Sequence, residues 1–131
     1  MSQFKKEFSA LWDTEVKEQI QKCTPEYETL RKMDNVSEAD AKILYKEIQA
    51  KGYHDVYGQY VIGNLIWAVE HALADDRLDL NFITTFCQVR ETLNNDEYWE
   101  NVFGTEIECE EAKELMKLRD YINRLGDMIE L

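Results

Sequence analysis

Apolar residues recur along this chain at helical spacing. Phe4, Phe8, Trp12, Val16 and Ile20 stand four apart with Leu11 beside them, and lysine and glutamate fill the positions between. That is the stripe of an amphipathic helix over about 2–23. Thr24-Pro25-Glu26 reads as a restart, with Thr24 as cap and Pro25 in the first helical position. A short helix to about Met33 follows and buries Tyr27 and Leu30. Ser37 opens the next helix with a capping-box-like Ser-Glu-Ala-Asp; Ala41, Leu44 and Ile48 are its buried stripe, and Gly52 its left-handed stop.

The segment from about 54 to 74 is apolar nearly all round through Tyr60–Val69, which predicts a central, buried helix. Gly63 within it predicts close approach by a neighbouring helix. Phe82, Phe86, Val89 and Leu93 then mark a helix capped by Asp79 or Asn81. A short piece follows, capped by Asp96, with Trp99 and Phe103 on one face. Thr105-Glu106-Ile107-Glu108 has the form of a full capping box and predicts the start of the last helix, about 105–131. Its seam, Leu115, Leu118, Ile122, Leu125 and Ile129, repeats three, four, three, four. That seam suits bundle packing.

The expected fold is therefore all-α: a compact bundle of about five to six helices, one domain over 1–131. One proline and five glycines leave little room for the turns of a sandwich or barrel. A hydrophobic content of 44% is enough for a core without disulfides or metals.

Charge changes the picture most. The chain carries 15 basic and 27 acidic residues, net -12. Residues 1–33 are neutral, 34–79 carry -5 and 80–131 carry -7. This argues against direct binding of nucleic acid or an anionic membrane and favours a basic partner. The acids are densest between Asp96 and Glu114, where eight stand against the single base Lys113. Asp96, Glu97, Glu100, Glu106, Glu110, Glu111 and Glu114, with Tyr98 and Trp99 as aromatic anchors among them, form the candidate partner-binding surface. On a continuous last helix, Glu106/Glu110 and Glu110/Glu114 are like-charge pairs at spacing four. A solvated face that complements the helix dipole is the competing account of the same acids, and a tertiary clamp for the short helix is the competing account of Tyr98 and Trp99.

Motifs of catalysis, cofactor binding and metal ligation are missing from the sequence. It has no HExxH, ExxH or CxxC, no Gly-x-Ser-x-Gly and no glycine-rich phosphate loop. The loop from Asp75 fails as a calcium site because Leu80 and Phe86 stand where glycine and glutamate are needed. His71, on the apolar helix, reads as a satisfied core or boundary histidine. Cys23, Cys87 and Cys109 are widely spaced and odd in number, which suits a reducing compartment, the cytoplasm.

The expected function is a non-enzymatic acidic binding protein, with no cofactor and no metal. It would inhibit by docking on the basic surface of a partner such as a nuclease, as immunity proteins, antitoxins and phage anti-defence proteins do. The alternative is a structural or adaptor module that assembles helix to helix as a homodimer through the C-terminal seam.

Overall fold

The computed structural model describes the backbone of residues 3–130 and the side chains of residues 5–130. The Phe4 position of the first stripe and the last-residue end of the final helix at Leu131 lie outside the described side chains and residues.

Stripes and caps produce seven helices among the described residues. Helix α1 is a single rod, 3–23, built from α-helical Gln3–Leu11, a π-helical segment Trp12–Val16 and α-helical Lys17–Cys23. Then come α2 (Tyr27–Arg31, extended by the 3-10 turn Lys32–Asn35), α3 (Glu38–Gln49), α4 (Val56–Asp75), α5 (Leu80–Leu93), α6 (Asp96–Val102) and α7 (Glu110–Met128). The all-α bundle is observed. The two short helices α2 and α6 carry the number beyond five to six.

The π segment has a readable cause. Residues four apart overshoot an α-helical turn of 3.6 residues by about 40° at each step. A stripe of strict fours would therefore wind off the core. In the π segment the Lys17 amide reaches back five residues to the Trp12 carbonyl. The wider turn returns Val16 and Ile20 to the face that Phe8 and Trp12 bury.

Helices α1, α4, α5 and α7 pack round one core, to which α6 adds Trp99. Phe82, Phe86, Val89 and Leu93 of α5 and Leu118, Ile122 and Leu125 of α7 are all fully buried. Each such side chain contributes about 1.5–3 kcal/mol of burial. A smaller cluster, Leu30, Ile48 and Val56, with Tyr45, Tyr53 and Tyr60 against it, holds α2 and α3 to the start of α4.

Several predicted caps are present. Ser37 accepts from the Asp40 amide at 3.2 Å and Asp79 from the Phe82 amide at 2.8 Å. Gly52 has φ +98°. Others are corrected. Thr24 does not cap α2; its hydroxyl donates 2.8 Å back to the Ile20 carbonyl, closing the end of α1. Asn95, not Asp96, caps α6, accepting from the Glu97 amide at 3.0 Å.

Thr105 does not open the last helix. Gly104 takes φ +53° and starts a 3-10 turn, Gly104–Glu106. Helix α7 begins only at Glu110, with Cys109 as its cap. The α4 helix is also less enclosed than its composition predicts: Tyr57 is 65% and Trp67 54% exposed. His71 lies on the surface, not in the core, stacked 3.9 Å from the Trp67 ring, with Nδ1 2.9 Å from the Trp67 carbonyl oxygen.

Candidate functional site

The helix starts of α4 and α7 meet beside α6, and the polar side chains at their ends converge. Asp55 caps α4: one carboxylate oxygen accepts the Gly58 amide at 2.7 Å and the other accepts the Tyr98 hydroxyl at 2.6 Å. His54 precedes it. Glu111, in the first turn of α7, reaches across and accepts the backbone amides of His54 at 2.9 Å and Asp55 at 3.1 Å. The same Glu111 oxygen that takes the His54 amide lies 2.9 Å from His54 Nδ1, and Glu106 lies 2.6 Å from Nε2. The Phe103 ring packs 5.2 Å from the imidazole. The His54 side chain is left 25% exposed.

Glu111 thus closes the exposed amides in front of α4, where a carboxylate also complements the helix dipole. Hydrogen bonds from Glu111 first, then Glu106, raise the pKa of His54. Two carboxylates, Glu106 and Glu111, flank this one histidine. Burial first, and then the Asp55 carboxylate, pushes the Tyr98 phenol up, so it stays a neutral donor to Asp55.

A cysteine and a glutamine border the cluster. Cys109 Sγ accepts the Ala112 amide at 3.5 Å, so a thiol caps α7. On the α1 side, Gln19 donates to Glu114 twice, to Oε2 at 2.7 Å and to the main-chain oxygen at 2.9 Å. That bond is the main cause of a lowered Glu114 pKa. An apolar cleft of about 230 Å³ opens beyond the Asp55–Tyr98 pair, between Tyr57, Val61, Ile62, Val89 and Val102. On another face, a groove of about 870 Å³ runs past Lys17, Arg31, Asn64 and Trp67.

The structure divides the residues of the acidic segment into two groups. Asp96, Glu97, Glu100, Glu108 and Glu110 are exposed and enter none of the ion pairs of the described residues. Glu106 is exposed but bonded to His54; Glu111 and Glu114 turn inward to the partners just named. Glu106 does not share a helix with Glu110, so the like-charge pair expected from their spacing is not formed. Tyr98 is a tertiary clamp to Asp55. Trp99 is 7% exposed, stacks on Phe103 and donates to the Leu93 carbonyl at 2.8 Å. It belongs to the core, where it is no free anchor.

Sequence reasoning missed His54, Asp55 and Cys109. His54 and Asp55 lie 52–57 residues from the glutamates they meet. The one local signal was His-Asp directly ahead of the most apolar helix, an N-cap position.

Comparison with protein-family models, with curated proteins and with solved structures gave no match.

Proposed function

We propose that this chain is a non-enzymatic acidic binding protein that docks on a basic surface of a partner protein, of the kind nucleases and other nucleic-acid enzymes present. One observation carries the reading. Between Asp96 and Glu110 six carboxylates are exposed, with no lysine or arginine among them. They span α6, the turn after it and the start of α7, at one end of the bundle.

Glu111 and Glu114 serve the fold, which moves the proposed contact set to Asp96, Glu97, Glu100, Glu108 and Glu110. Such a patch steers a basic partner and makes its association fall with salt. The reading also assigns the docking to the cytoplasm, where three unpaired thiols persist. Assembly through the C-terminal seam finds less support. Leu118, Ile122 and Leu125 are fully buried within the chain, so the seam offers no apolar face to a second copy.

The test is recovery of a basic nucleic-acid-binding protein on the immobilised chain, followed by titration of the purified pair at rising salt. Glu97→Lys/Glu100→Lys/Glu110→Lys is expected to weaken binding strongly. Glu7→Lys/Asp13→Lys/Glu18→Lys on α1, with the same change in net charge, is expected to leave most of it. Equal loss in both triple variants would assign the effect to net charge and reject the patch.

A further inference from the structure

Where α4 and α7 begin, a nitrogen, a sulfur and an oxygen come together from two distant segments. The His54 ring, the Cys109 thiol and the Glu111 carboxylate each offer one donor atom, and these atoms all lie within 4.8 Å of one another. We propose that they bind a divalent transition-metal ion of the zinc type. His54 Nδ1, the Cys109 sulfur and Glu111 are the ligands, Glu106 orients the imidazole, and the fourth position is left to solvent.

The geometry of the histidine carries the assignment. A metal-ligating imidazole holds its other ring nitrogen on a carboxylate or carbonyl. His54 already has that arrangement: Nε2 is 2.6 Å from Glu106, and Nδ1 faces Glu111 at 2.9 Å. The other donors are fixed by backbone. Glu111 is held by the amides of His54 and Asp55, and Cys109 Sγ by the amide of Ala112. Metal bonds of about 2.0–2.3 Å put tetrahedral ligands roughly 3.3–3.8 Å apart. Nδ1 and the Glu111 oxygen, 2.9 Å apart, therefore open slightly on binding, while the sulfur, in a donor set that spans no more than 4.8 Å, closes by about 1 Å.

Charge and donor type point the same way. Glu106 and Glu111 flank one histidine, and no lysine or arginine pairs with them among the described residues. A sulfur–imidazole–carboxylate set selects zinc-like ions over magnesium or calcium. On binding, the thiol proton of Cys109 and the proton on His54 Nδ1 pass to solvent, while Nε2 keeps its proton for Glu106. The site is independent of the docking surface proposed above, which uses the outward-facing acids.

The experiment uses the full chain, stripped with chelator and titrated with CoCl₂ and then ZnCl₂. The expected result is one Co²⁺ per chain with the visible bands of a four-coordinate site and a thiolate charge-transfer band, displaced by Zn²⁺. Zn²⁺ is expected to slow iodoacetamide alkylation of Cys109 by about tenfold or more, read by peptide mapping, and to leave Cys87 unchanged. Glu106→Gln should weaken binding about 10–100-fold, and Cys109→Ser should abolish the charge-transfer band. No saturable Co²⁺ binding, a band that survives Cys109→Ser, or alkylation of Cys109 indifferent to Zn²⁺ would overturn the site. The alkylation readout needs no variant, so it decides the matter even where Cys109→Ser fails to fold.

Discussion

The ring of Tyr27 lies flat against the bare backbone of Gly63: a Cβ at that position would come within 2.6 Å of three ring carbons. The phenol is held in place by its hydrogen bond to Asn64 and by an edge contact with Tyr60 at 6.1 Å. The ring therefore cannot retreat freely. Gly63→Ala gains about 1 kcal/mol of helix propensity and loses about 1–3 kcal/mol to overpacking. A net destabilisation of up to about 2 kcal/mol in urea unfolding is expected. Tyr27→Ala should make the alanine at 63 harmless, a coupling that a double-mutant cycle reads directly. Additive effects in that cycle would contradict the contact.

Gln19 and Glu114 make stability depend on acid. Gln19 is buried and lowers the Glu114 pKa by donating to its carboxylate. A depressed carboxyl contributes stability that is present above its unfolded value, about 4.3. That stability is lost as pH falls through the lower folded value. Gln19→Leu is expected to cost about 1–3 kcal/mol at pH 7. The gap between the two proteins should narrow below the ordinary carboxylate range. It should not vanish, because Gln19 also donates to the Glu114 main-chain oxygen, which does not titrate. Urea unfolding at neutral and acidic pH measures both gaps; equal gaps would count against the ionic share.

Cys23 is expected to be the slowest of the three thiols to alkylate. Burial first, and the Glu114 carboxylate second, pushes its pKa up to about 12. At pH 8 only about one thiol in ten thousand is then ionised, and the thiolate is the reacting form. Timed iodoacetamide labelling with peptide mapping ranks the three sites. A Cys23 rate equal to that of Cys87 would show the sulfur to be open to solvent.

The helices were legible because their stripes are strong. Phe82, Phe86, Val89 and Leu93 needed nothing beyond their spacing. Ser37, Asp79 and Gly52 likewise act through neighbours two to four residues away. The start of α7 was not legible, since local chemistry lost to tertiary contact there. Phe103 packs against Trp99 and His54, and Glu106 bonds His54 across the bundle, so the chain turns at Gly104 and the Thr105 box never closes. Trp99 stood open between surface anchor and tertiary clamp, since an aromatic among acids suits both until its indole is seen bonded to Leu93. The His54 cluster left almost no trace, since its members share no spacing. The strict fours of α1 read as the stripe of an ordinary amphipathic helix, and the π segment that accommodates them came to light only in the structure.

That period yields a deletion test. In the π segment Asp13, Thr14 and Glu15 are exposed while Trp12 and Val16 are buried. Removing Thr14 should let the Lys17 amide bond four residues back instead of five, as in a regular α-helix. Val16 and Ile20 would keep their face, so the cost should stay within about 1.5 kcal/mol, chiefly the hydrogen bond from Thr14 to the Ala10 carbonyl. Removing Glu18, an exposed residue of the α-helical part, has no wide turn to absorb it. Everything from Gln19 to Cys23 would rotate by about 100°, turning Ile20 out of the core. Thermal unfolding followed by circular dichroism should show a cooperative transition for the Thr14 deletion and none for the Glu18 deletion. Equal damage from the two would mean that the π segment does not set the register of α1.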